Sequence, residues 1–167
     1  MTGHAHRSSR PVHAALALLT VSDTRTADDD HSGQIARKLV EQAGHRVVDS
    51  RILPDEPEVI SDCVATWLGR EDCDVIVVNG GTGIARRDRT YEVVSALLDK
   101  RLDGFGELFR MLSHEQVGSA AMLSRAVGGI ARGKPVFSLP GSPEAVALAL
   151  ERLVLPELGH LLGELRK

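Results

Sequence analysis

The sequence predicts an α/β fold, a three-layer sandwich in which a mostly parallel sheet is covered by helices on both faces. Three observations predict it. Apolar runs of strand length alternate with amphipathic stretches of helix length, and such alternation implies right-handed crossovers between parallel strands. Each apolar run ends at once in a polar cluster, as strands do where they emerge at a ligand-binding sheet edge. The 167 residues, 43% of them hydrophobic, suit one domain around one substantial core.

The elements follow in order. Residues 14–21, AALALLTV, read as a strand, and SGQIARKLVEQAG as its helix, with Gly44 as the C-terminal stop. HRVVDSRIL and PDEPEVISDCVATWLGR form the second pair, with Pro57 in the first helical turn. DVIVVNG and TYEVVSALLDK form the third, KPVFSLPG and SPEAVALALERLVLPELGHLL the fourth. Between the last two pairs, GFGELFRMLSHEQVGSAAMLSRAVGGIARG reads as helical with Gly interruptions, and a connection of that length commonly carries function. Phe109, Met111 and Leu112 within it read as core or subunit-contact residues. Residues 1–13, MTGHAHRSSRPVH, read as a flexible polar tail whose His4 and His6 could take up a stray metal, and residues 14–167 as a single domain.

Composition excludes several functions. Twenty Lys plus Arg against 23 Asp plus Glu leave a net charge of -3, so no general basic field exists for nucleic acid or an anionic membrane. With 3% aromatic residues a base-stacking surface is not expected either. No apolar run approaches the roughly 20 residues of a membrane span, and the reading is a soluble cytoplasmic protein. Cys63 and Cys73 lack metal-ligand spacing and read as free thiols of a reducing compartment. His31, His45, His114 and His160 also lack such spacing, Trp67 reads as packing, and no GxSxG nucleophile motif occurs.

What remains points to an anion. In VVNGGTGIARRDRTYE, Gly80, Gly81 and Gly83 permit positive φ and close approach of main-chain N–H groups to a ligand. Thr82 adds a hydroxyl, Thr90 is placed to cap the next helix, and Arg86, Arg87 and Arg89 offer guanidinium forks. Asp55 and Asp88, from different loops on one edge, suit a Mg²⁺ that takes its other ligands from phosphate and water. Each also has a structural reading, Asp55 as cap of the helix near Pro57 and Asp88 as partner of Arg86 or Arg87. Ser142 and Pro143 form a helix start, and Ser22, Asp23, Pro140 and Gly141 belong to the remaining edge clusters.

Taken in order, LTVSDTRTADDDHSGQ, ILPDE, GGTGIARRDRTYE, GFGELFRMLSHEQVGSAAMLSRAVGG and SLPGSPEAV resemble the MoaB/MogA proteins of molybdenum-cofactor biosynthesis, from about residue 14 to the end. The SDTRTADDDHSG start resembles the MoaB branch, ILPDE and ARRD the adenylyltransferases of the MogA branch. The resemblance implies a MogA-like fold, a homotrimer or homohexamer, and Mg²⁺-dependent adenylylation of molybdopterin by ATP with release of pyrophosphate. It makes Asp55 and Asp88 the catalytic aspartates, Gly80, Gly81, Thr82 and Gly83 the nucleotide loop, and Ser22, Asp23, Pro140, Gly141 and Ser142 further pocket segments. Glu107, Ser113 and Ser124 fall where such proteins hold the pterin. The molybdenum-insertion enzyme is an implied partner. The competing reading is a non-catalytic paralogue that binds molybdopterin or a partner without ATP turnover.

Overall fold

Residues 12–167 are described by the structure, a computed structural model. Strand β1 (Ala15–Val21) is buried along its whole length, because its alternate residues serve two cores: Leu16 and Leu18 on one face, Ala17, Leu19 and Val21 on the other. Helix α1 (His31–Gln42) starts where the Asp30 carboxylate accepts the Gly33 N–H at 3.0 Å and ends before Gly44 at φ 82°. Strand β2 (Arg46–Leu53) is half exposed. Helix α2 (Pro57–Leu68) has its proline in the first turn and buries Ile60, Val64 and Trp67, whose Nε1–H finds Asp49 at 2.9 Å. Strand β3 (Val75–Asn79) and helix α3 (Thr90–Leu97) complete the third unit.

Then come a two-residue strand β4 (Lys100–Arg101), helix α4 (Asp103–Val117), a 3₁₀ turn (Gly118–Leu123), and strands β5 (Val127–Ala131) and β6 (Lys134–Leu139). Helix α5 (Pro143–Ala149) passes through a π turn (Leu150–Val154) into α6 (Leu155–Leu165). The sheet order is β2-β1-β3-β6-β5-β4; the first four strands are parallel, and β5 is antiparallel to both neighbours. One core lies under α1, α4, α5 and α6, the other under α2 and α3. The three-layer α/β sandwich is therefore as the sequence predicts.

Two expectations need correction. The insertion is not helical throughout, because residues 127–131 pair with β6 through the two-residue turn Arg132–Gly133, at φ 47° and 77°. Positive φ at both positions is the turn geometry that matches strand twist, and the glycine pair Gly128–Gly129 hid a strand that its neighbours, not its own propensity, specify. The last helix is also interrupted. Pro156 lacks an N–H and crowds the preceding turn, and the π turn lies directly ahead of it.

Val12 rests on Gly159, and His13 Nδ1 lies 2.7 Å from the Gly44 carbonyl; the rest of the expected tail, with His4 and His6, lies outside the described residues. Cys63 and Cys73 are buried and free. Among the described residues no helix is long and apolar enough to cross a membrane.

Candidate functional site

Because β1, β2, β3 and β6 run parallel, the segments that follow them gather at one edge. Its centre lies between β1 and β3, where successive strands pass to opposite sides of β1 and a crevice opens. Gly80 and Gly81 line it at φ 94° and 65°. A Cβ on Gly80 would lie 2.2 Å from the Val21 carbonyl oxygen, and one on Gly81 would lie 2.2 Å from Thr90 Oγ1 and 2.4 Å from Asp55 Oδ2. Only glycine fits. Gly83 does not share the left-handed backbone expected of it; the Asp88 carboxylate, 2.5 Å from where a Cβ would stand, is what excludes a side chain there.

The two aspartates flank this turn, and neither takes its structural alternative. Asp55 leaves α2 uncapped, since the N-cap Glu56 makes no side-chain cap bond. Its carboxylate instead accepts the Arg89 N–H at 3.3 and 3.4 Å, at the start of α3, where the helix dipole favours negative charge. Asp55 is only 6% exposed. Burial raises its carboxyl above the usual value, the Arg89 N–H opposes the rise, and the charges of Asp88 and Asp23 add to it. Asp88 pairs with neither Arg86 nor Arg87; its Oδ2 accepts the Ala85 N–H at 3.1 Å.

The arginines are placed differently from the expectation. Arg87 is not free to fork onto an anion: it donates to Asp23 at 2.7 and 3.0 Å and to Glu56 at 2.8 Å. That pairing holds Asp23 down to about 2, and Asp23 also accepts the Asp55 N–H at 3.1 Å. Arg86 and Arg89 are exposed, and no hydrogen bond or ion pair engages the Arg86 side chain among the described residues. Thr90 is not the cap of α3, a position held by Arg89. Its hydroxyl is fully buried beside Gly81 and makes no hydrogen bond. Thr82 is buried too.

The other edge segments close the crevice. Ser22 Oγ accepts the Thr24 and Arg25 N–H groups, and Ser142 Oγ caps α5 through the Ala145 N–H at 3.2 Å. Gly141 backs onto Gly80 Cα, 3.0 Å from where its own Cβ would stand. Pro140 sits between β6 and this turn.

The insertion residues divide between two adjoining cavities. Glu107 and Ser124 line one of 410 Å³ with Tyr91, Arg101, Arg110 and Arg125. Ser113, Ser124, Pro140 and Ser142 line another of 240 Å³ with Phe109. Ser124 thus faces both. Of the apolar insertion residues, Phe109 is core, Leu112 packs on that core and Met111 is exposed.

Sequence reasoning missed the residues that hold these loops. Arg25 donates to Ser32 Oγ at 2.8 Å and to the Gly141 carbonyl at 3.2 Å. Thr20, Asp30 and Asn79 form a buried chain of bonds beneath the crevice, Thr20 Oγ1 donating to Asp30 at 2.7 Å and accepting from Asn79 at 3.1 Å. Arg125 grips the glycine loop from the insertion side. Both arginines bind backbone carbonyls of distant segments, and carbonyls leave no mark in a sequence.

Among the described residues no group of three or more His, Cys, Asp and Glu could hold a metal ion. A cation here would have two carboxylates, Asp55 and Asp88, and would complete its shell from phosphate and water. That donor set suits Mg²⁺.

Residues 17–160 match the family described as probable molybdopterin binding domain. The chain is 51% identical over 163 residues to molybdenum cofactor biosynthesis protein B of Bacillus cereus, covering 97% of this chain and 96% of that protein. A crystal structure of a molybdenum cofactor biosynthesis protein B is similar with a TM-score of 0.92 and 52% identity, over 94% of this chain and 98% of that one. The tungsten cofactor synthesizing protein MoaB from Pyrococcus furiosus gives 0.85 and 37%, over 95% and 100%.

Proposed function

The chain belongs to the probable molybdopterin binding domain family and has a role in molybdenum-cofactor biosynthesis, and from that premise we propose that it transfers the adenylyl group of ATP to molybdopterin. The observation that carries this reading is the meeting of Asp55 and Asp88 at a glycine turn on the N-terminus of α3. Main-chain N–H groups and a helix start receive phosphate, and the carboxylates receive the cation that accompanies it.

The terminal phosphate oxygen of molybdopterin attacks the α-phosphorus of ATP in line; the new P–O bond forms as the bond to pyrophosphate breaks. No protein nucleophile is required, so the protein contributes positioning and charge stabilisation. Mg²⁺, held by Asp55 and Asp88, would offset the charge of the pyrophosphate group. The cavities that meet at Ser124 take the pterin, with Glu107 and Ser113 on their walls. Arg87, in the loop after β3, binds Asp23 after β1 and Glu56 after β2 and so fixes three edge loops to one another.

The test is pyrophosphate release from ATP and Mg²⁺, with and without molybdopterin, for the wild type, Asp55→Asn and Asp88→Asn. Release that depends on molybdopterin and falls by about a hundredfold or more in both variants is the expected result. Tight molybdopterin binding without release would instead identify a binding paralogue that does not turn over ATP.

A further inference from the structure

Arg125 stands at the end of the insertion, immediately before β5, and its guanidinium is almost fully committed. Nε donates to the Thr82 carbonyl at 3.0 Å, and Nη2 donates to the Gly83 carbonyl at 2.5 Å and the Asp88 carbonyl at 3.2 Å. Nη1 donates to Glu92 at 2.5 Å. The same group lies over the Tyr91 ring, 5.0 Å from its centroid, and lines the 410 Å³ cavity. Three carbonyls of one loop, one of them that of Asp88, therefore converge on a single rigid fork from another part of the chain.

We propose that Arg125 is a positioning residue that sets the geometry of residues 82–88, and with it the Asp88 carboxylate, from the insertion side. The inference rests on the adenylyl-transfer reading for its catalytic consequence. A planar guanidinium with five N–H donors can serve these acceptors together; a lysine ammonium keeps the charge and the Glu92 pair but not the fork. From the strand side the loop is held by Arg87 on Asp23 and Glu56 and by the Arg89 N–H on Asp55; from the insertion side Arg125 bonds the carbonyls of residues 82, 83 and 88. The loop's internal bonds run from Asp88 N–H to the Ala85 carbonyl, from Ala85 N–H to Asp88 and from Thr90 N–H to the Gly81 carbonyl. Because Arg125 also lines the cavity wall, whatever fills that cavity meets the residue that shapes the loop.

The test compares wild type, Arg125→Lys and Glu92→Gln by amide hydrogen exchange and by kinetics. In Arg125→Lys, exchange at Ala85, Asp88, Arg89 and Thr90 is expected to quicken about tenfold, as loss of one or two such bonds implies. Exchange in β1 and β3 stays unchanged. Turnover falls about tenfold while KM for ATP moves less than about twofold, since the loss is one of alignment rather than of binding. Glu92→Gln, which keeps the carbonyl bonds, stays near wild type in both. Unchanged loop exchange in Arg125→Lys, or equal acceleration throughout the protein, overturns the assignment, as does a Glu92→Gln variant that reproduces the lysine phenotype. A wild type that releases no pyrophosphate with molybdopterin present overturns the parent reading and the catalytic role with it; the exchange data then still decide whether Arg125 holds the loop.

Discussion

At the residue scale, Asp55 carries a conflict between function and stability. Its carboxyl is buried, close to two other aspartates, and raised above its usual value. An acid whose native-state pKa is raised favours folding only while it is protonated. The ionised form, the one that would bind a cation, costs stability at neutral pH. Asp55→Asn keeps an oxygen for the Arg89 N–H and removes the charge, so at neutral pH it is expected to raise Tm. The gain should be full above the raised native pKa of Asp55 and vanish as pH falls from there toward the unfolded value. Thermal melts across that range would check it, and a variant less stable than wild type at neutral pH would show that the carboxylate stabilises the site instead. The sequence places this residue at the sheet edge, since it follows directly on a strand, but leaves its role open between helix cap and cation ligand, and only the resemblance of ILPDE to the MogA branch chooses between them. Arg125 was not legible there, because three of its four partners are main-chain oxygens of a distant loop.

At the scale of elements, strands that alternate with helices were readable because burial on two faces leaves continuous apolar runs, as in β1 and β3. Strand β5 was not readable, because VGGIA has little intrinsic strand preference and is held by β6 on one side and β4 on the other. The turn that joins β5 to β6 places Arg132 at φ 47°, a conformation that L-residues other than asparagine and aspartate avoid. Arg132→Asn is therefore expected to stabilise the hairpin by about 0.5 kcal/mol; its backbone N–H keeps the bond to Asp99 at 2.6 Å. Urea denaturation would measure the gain, and a loss would mean that the arginine side chain has a role of its own.

For the whole molecule, the sheet brings four loops to one edge, and the insertion leaves an apolar surface beside them. Leu108, Met111, Val117, Met122 and Leu123 are all exposed, Met122 to 80%. Such a patch suits a contact between subunits. Light scattering on the eluting protein is expected to give a multiple of the 18.0 kDa chain mass, and Met122→Lys to shift the distribution toward smaller species; a wild-type monomer at micromolar concentration would contradict the expectation. The reversed strand β5 has a wider consequence. Because β4 and β6 both run antiparallel to it, the chain departs into α4 and returns at Arg125 on the same side of the sheet, the side of the crevice. Residues 103–126 thus leave and re-enter the sheet at one edge: their exposed positions can change without disturbing any strand pairing, as long as Phe105 and Phe109 still cover the core and Arg125 still reaches the glycine loop, so substrate preference can diverge in this architecture while the sheet stays the same.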